Sequence, residues 1–172
     1  CYVDAATGSD SASGTAASPL KTIQAGIDAV APGGTVYIYP GAYSETAANR
    51  LLFDGSGPYQ FGLFIGAARS GVTLQGLDAA GIPITAYAAV QATITTNATD
   101  TFGPSGVFVE GDGVTLAGLR FGANTPSNGQ TIAVTGDAFT LVNCDIAVAG
   151  GGSVRFDDPR FDTTNAVSYI QQ

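Results

Sequence analysis

Three stretches of the chain are copies of one pattern: GVTLQGLDA from Gly71, GVTLAGLRF from Gly113 and AFTLVNCDI from Ala138. Each places apolar residues at alternate positions and turns a corner at Gly or Asn. A unit this short buries its one apolar face only by stacking on further copies, so the repeat dictates a layered β architecture. Alternation at period two recurs in TVYIYPG from Thr35, GLFIGA from Gly62, GVFVEG from Gly106 and TIAVTG from Thr131. AVSYI from Ala166 begins the same way. These five read as first strands, with separations of 27, 44, 25 and 35 residues, counted at 36, 63, 107, 132 and 167. A steady core with variable loops between copies is what stacking permits, because an insertion at one corner disturbs no neighbour.

Alternation assigns faces. Val36 and Ile38, Leu63 and Ile65, Val107 and Val109, and Ile132 and Val134 are expected to point inward on the first strands. Val72, Leu74 and Leu77 match Val114, Leu116 and Leu119, then Phe139, Leu141 and Cys144. Cys144 therefore reads as a small core residue rather than a reactive thiol.

SPLKTIQAGIDAVAPGG, from Ser18 to Gly34, breaks the pattern. Ser18 suits an N-cap, Pro19 a first helical position and Gly33 a stop. Leu20, Ile23, Ile27 and Val30 share one helical face. A stacked β core leaves its first layer and a row of backbone groups open, so this helix is expected to lie over that layer as a lid. The expected fold is all-β: a right-handed parallel β-helix of about five turns with an N-terminal capping α-helix. Residues 1–34 would be the N-terminal strand and cap. Residues 35–172 would be the turns, the last incomplete.

The segment YVDAATGSDSASGTAASPLKTIQAGIDAVAPGGTVYIYPGAY, residues 2–43, resembles the N-terminal cap of secreted right-handed β-helix proteins of the pectate-lyase-like superfold. The GVTLxGL copies extend the resemblance loosely to about residue 146. Gly34 departs from it, where that family commonly carries Asp. The resemblance implies a site on the outer face of the first-strand sheet. Polysaccharide lyases of this kind need acidic residues for Ca²⁺ and a Lys or Arg as base. The outward positions here are Tyr37, Tyr39, Phe64, Phe108, Glu110, Ala133, Thr135 and Ser168. They offer one carboxylate and no base, so an enzymatic role is disfavoured. Asp112 and Asp137 each belong to a Gly-Asp pair, which is common turn chemistry.

Tyr37, Phe64 and Phe108, with Glu110 beside them, form a column that could meet sugar rings or a partner. The competing expectation is that the insertion at 44–61 folds back over it. Asp78, Arg120 and Asp145 read as a charge ladder on the third strands. VRFDDPRFD, from Val154, carries Arg155, Asp157, Asp158, Arg160 and Asp162 on a loop that could hold a cation such as Ca²⁺ or an anionic sugar, or simply pair with itself. No other cofactor is suggested. NAT at Asn97 fits a glycosylation acceptor.

The net charge of −8, with six Lys and Arg, excludes a phosphate-binding surface for nucleic acid. No apolar run approaches the length of a membrane span. Low charge and abundant Gly, Ser and Thr fit an extracellular or cell-surface product, and the absence of Met fits a processed or excised chain. Cys1 could be a lipidated first residue, although the strand-like YVDAA follows it without a tether. The last turn is expected to start at Ala166 without its later strands. Self-association end to end is therefore expected, through Tyr169 and Ile170 at one end and Cys1 and Tyr2 at the other. Together these features point to a non-catalytic structural or adhesive module, with self-stacking into filaments. The alternatives are the N-terminal part of a polysaccharide-active lyase or epimerase with its catalytic groups in later turns, and a carbohydrate-binding module.

Overall fold

The computed structural model describes residues 1–46, 48–51, 58–86, 89–97, 106–122, 132–146 and 154–156. They comprise short strands, one short α-helix and one 3₁₀ turn. The first elements are β1 (Tyr2–Val3), α1 (Ile23–Ala29), β2 (Thr35–Ile38), β3 (Gly41–Thr46), β4 (Ala48–Leu51) and β5 (Pro58–Phe61). Then come β6 (Leu63–Ile65), the 3₁₀ turn Ala67–Arg69, β7 (Thr73–Gly76), β8 (Ala92–Asn97), β9 (Val107–Val109) and β10 (Thr115–Ala117). The chain continues with β11 (Arg120–Phe121), β12 (Ile132–Val134), β13 (Thr140–Val142), β14 (Asp145–Ile146) and β15 (Val154–Phe156).

The strands form three parallel sheets, ordered β1-β2-β7-β10-β13, β14-β11-β8-β3 and β15-β12-β9-β6, plus the antiparallel hairpin β4-β5. From β6 onward the chain visits the three sheets in rotation: β6, β7, β8, then β9, β10, β11, then β12, β13, β14. This order, with every pairing among the three sheets parallel, is consistent with a parallel β-helix.

The core follows from register. Val36, Leu74, Leu116 and Leu141 are successive partners, as are Leu63, Val107 and Ile132. Branched aliphatic side chains stack in columns, and all but Leu141 are fully buried. Each such side chain contributes roughly 1.5–3 kcal/mol through burial. All eight first-strand residues expected inward are buried.

Four expectations are corrected. TVYI joins the sheet of the GVTL strands, with Val36 opposite Leu74, and not that of Leu63–Ile65. Alternation is the same in both, and the turn decides: Gly33, Gly71 and Gly113 each take positive φ, near +74°, +74° and +65°, two residues before Thr35, Thr73 and Thr115. The place beside β6 is taken by α1 itself, which packs against that strand.

The helix begins at Ile23 with Thr22 as N-cap, not at Ser18 and Pro19. Leu20 is drawn away by β1, its N–H donating to the Tyr2 carbonyl and its carbonyl accepting from Asp4 N–H. The third-sheet strand that follows β7 is β8. Leu77 instead makes an antiparallel bridge to Pro83, so Asp78 stands apart from the Arg120–Asp145 column, where Thr93 pairs with Arg120. Arg155 lies in a strand and not a loop, since β15 pairs with β12 and places Arg155 opposite Ala133.

Candidate functional site

The aromatic column divides between two sheets. Tyr37, on β2, stacks on Tyr2 with centroids 5.0 Å apart, and Tyr39 closes the group at 6.1 Å from Tyr2. All three are half-buried on the outer face of the five-stranded sheet. Phe64 and Phe108 form a separate pair at 6.0 Å. Phe61, from the end of the 44–61 insertion, lies across both at 5.8 and 4.8 Å. Phe108 is thereby left only 4% exposed. Of the insertion, Phe61 thus covers Phe108, while Phe64 stays half-buried and the side chains of 46–60 lie outside the described residues. Tyr37 is misassigned for the reason given above, its sheet.

Glu110 follows β9 and is half-buried. Burial pushes its carboxyl above the ordinary range, against the opposing Ala67 N–H that donates to it. Asp112 and Asp137 stitch the turns together. Asp137 N–H donates to Asp112 Oδ1 at 2.8 Å, and Asp112 N–H to Ser70 Oγ at 3.1 Å. The glycine N–H groups extend the same ladder, from Gly33 to the Ser70 carbonyl, Gly71 to Asp112 and Gly113 to Asp137. These Gly-Asp pairs are turn chemistry. Arg120 Nε donates to Asp145 Oδ2 at 2.6 Å. Asp78 folds its carboxylate onto the N–H groups of Ala80 and Ile82.

Among the described residues, a dense polar constellation surrounds the start of α1, where the sequence pattern marks only a cap. Asp10 Oδ1 accepts from Lys21 and Thr22 N–H at 2.9 and 2.8 Å, while Oδ2 accepts from the Thr22 hydroxyl. Glu45, on β3, accepts from Ile23 and Gln24 N–H at 2.8 and 3.4 Å. Thr22 Oγ1 accepts from Ala25 N–H at 3.2 Å. Five consecutive N–H groups, 21 to 25, thus meet side-chain oxygens at a helix start that would otherwise leave donors unmatched. The Gln24 side chain then imitates a strand: its Oε1 accepts from Phe64 N–H at 2.8 Å and its Nε2 donates to the Phe64 carbonyl at 3.1 Å.

Glu45 is 3% exposed, and its carboxyl stands above the ordinary range. Burial is the leading cause, opposed by the Ile23 and Gln24 N–H groups and reinforced by the negative charge of Asp10. Tyr43, two residues earlier, is also raised, chiefly by burial. Its hydroxyl donates to the Tyr39 carbonyl at 2.9 Å and accepts from Ala5 N–H at 3.3 Å. Asp4 is held below its ordinary value despite partial burial, by the Thr7 hydroxyl and the N–H groups of Ala6 and Thr7. Of the side-chain contacts to the helix start, only that of Thr22 with Ala25, three residues long, carried a local signal.

Cys1 and Tyr2 are not an open end. One edge of β1 pairs with β2, with Tyr37 N–H donating to the Cys1 carbonyl and Tyr39 N–H to Val3. The other is filled by the chain itself, since Tyr2 N–H donates to the Gly14 carbonyl and the Tyr2 carbonyl accepts from Leu20. Cys144 sits between the Leu116 and Val142 carbonyls at 3.3 and 3.4 Å, and burial pushes its thiol up. It packs against the core as a small apolar residue. Asp157, Asp158, Arg160, Asp162, Tyr169 and Ile170 lie outside the described residues, as does Ser168. For Arg155 the backbone alone is described.

Among the described residues no three His, Cys, Asp or Glu side chains gather in a way that could hold a metal ion. Among the described residues no helix is long and apolar enough to cross a membrane. A family model described as protein of unknown function, DUF1565, matches residues 6–53, which include Asp10, α1 and Glu45. That family is associated with β-helix proteins. No curated protein and no solved structure matches the chain.

Proposed function

We propose that this chain is a right-handed parallel β-helix of about five turns, closed at its N-terminal end and serving as a rigid, non-catalytic module outside the cell. One observation supports this most: the acidic and amide side chains of the cap and turns act as braces for the backbone. Asp10, Glu45, Gln24, Asp78 and Asp112 each hold backbone N–H or C=O groups of their own or neighbouring layers. Carboxylates engaged in this way are poorly placed to move protons on a substrate. The extracellular assignment rests on composition: low charge and abundant Gly, Ser and Thr. Assembly through Cys1 and Tyr2 is no part of the proposal, because both edges of β1 are already paired.

A second reading, a carbohydrate-binding module, is favoured by the Tyr2, Tyr37 and Tyr39 cluster on an outer sheet face. One set of measurements tests both. The native protein is incubated with neutral and uronate-containing polysaccharides, and both chain cleavage and retention are followed. The structural reading expects neither. Retention lost in Tyr37→Ala would replace it with the binding reading. New unsaturated or reducing ends would overturn both in favour of a polysaccharide-active enzyme.

A further inference from the structure

Among the described residues two large hydrophobic side chains stay exposed, Ile82 at 61% and Val142 at 39%. Both belong to the side of the molecule that carries the tyrosines. Val142 ends the outward column that register draws across the five-stranded sheet, from Tyr2 through Tyr37, Gln75 and Ala117. Ile82 belongs to the turn after β7 that Asp78 holds. That turn reaches Tyr39, since a β-carbon on Gly81 would stand 3.5 Å from the Tyr39 hydroxyl. The column crosses all five strands, a span of about 19 Å at ordinary strand spacing. Apolar and aromatic side chains left open along one face mark a surface that meets a partner.

Charge selects the partner. The outward residues of these strands are Thr, Tyr, Gln, Ala and Val, none of them charged. Two carboxylates stand at the tyrosine end. Asp4 follows β1 beside Tyr39, whose N–H donates to the Val3 carbonyl, and Asp78 follows β7. Hydroxyl and N–H groups hold both, and neither has an ion-pair partner among the described residues. Lys21, one residue past the Leu20 that bonds to β1, pairs with neither. Tyr2 and Tyr37 each spend one ring face on the other, with planes 26° apart, which leaves less face for a sugar than three tyrosines would offer singly. We propose that this surface binds an extended segment of a partner protein in which apolar and basic side chains alternate. Six extended residues, at about 3.3 Å each, match the length of the column. The apolar side chains pack along it from Tyr37 to Val142, and the basic ones meet Asp4 and Asp78.

Amide NMR of the whole chain, titrated with an octapeptide of alternating Leu and Arg, tests the surface. Saturable shifts are expected at Tyr37, Tyr39 and Ile82, and none with an octapeptide of alternating Leu and Glu. Asp78→Asn keeps the Oδ1 that accepts from Ala80 and Ile82 and removes only the charge. It should weaken binding about two- to fivefold. Tyr37→Ala leaves the net charge unchanged, so a general attraction between a cationic peptide and an acidic chain would not register it. Binding should weaken about fivefold or more. Ile82→Ser, at a side chain too exposed to carry the fold, acts in the same direction and serves if Tyr37→Ala does not fold. Absence of shifts at these three amides would overturn the proposal. So would equal shifts with the Glu peptide, or unchanged affinity in any of the folded variants. Shifts produced there by a neutral glucan oligosaccharide and not by the Arg peptide would overturn it in favour of carbohydrate binding.

Discussion

At the scale of the residue, close approach between successive layers leaves some positions with no room for a β-carbon. Gly76 ends β7 directly against the backbone of the next copy, and a β-carbon there would land on the Gly118 carbonyl oxygen. Backbone cannot yield as a flexible side chain can, so Gly76→Ala should cost at least the roughly 1–3 kcal/mol typical of overpacking. Urea denaturation followed by circular dichroism would measure it, and a loss below about 0.5 kcal/mol would contradict the packing described. Gly76 is legible in sequence as a repeated corner, because Gly118 and Asn143 hold the same place in the other copies. Glu45 was not legible. Nothing near it in sequence marks it as a cap residue, since the N–H groups it meets lie 22 and 21 positions away.

At the scale of the element, α1 is only seven residues long and would not persist alone. Its stability comes from Ile23 and Ile27 in the core and from side-chain acceptors on either side. In return it protects an edge: Gln24 supplies both the acceptor and the donor that an adjacent strand would offer to Phe64. Gln24→Ala removes both and should cost about 0.5–1.5 kcal/mol per hydrogen bond. The Phe64 amide should then exchange faster than those of Leu74 and Leu116 in the five-stranded sheet. Equal protection before and after the change would mean that the fork does not carry the edge. The amphipathic face of the helix was visible from Leu20, Ile23, Ile27 and Val30. Its true start was not, because the Ser18-Pro19-Leu20 signal is overridden by the tertiary pairing of Leu20 with β1.

At the scale of the whole molecule, the segment from Gly14 to Leu20 lies along the free edge of β1 and closes the first sheet. Gly14 takes φ near +73°, and a β-carbon there would press on Cys1 Sγ at 2.8 Å. Gly14→Ala should strain this strap by about 1 kcal/mol or more and expose the Tyr2 edge. Sedimentation velocity should then detect concentration-dependent association in the variant above any in the wild type. Identical behaviour of the two would show that the strap is not what guards the edge.

Alternation, corner glycines and Gly-Asp turns determined by themselves that the chain makes short parallel strands around one apolar core. Those signals act between residues a few positions apart, so a linear reading captures them. Only the tertiary structure decided which sheet TVYI joins, that Phe61 covers Phe108, and that Asp10, Glu45 and Gln24 form one unit. Asp10 meets Thr22 across 12 positions, Glu45 meets Ile23 across 22 and Gln24 meets Phe64 across 40, and such meetings depend on the order in which layers stack. Period-two alternation is identical in every strand and carries no information about that order.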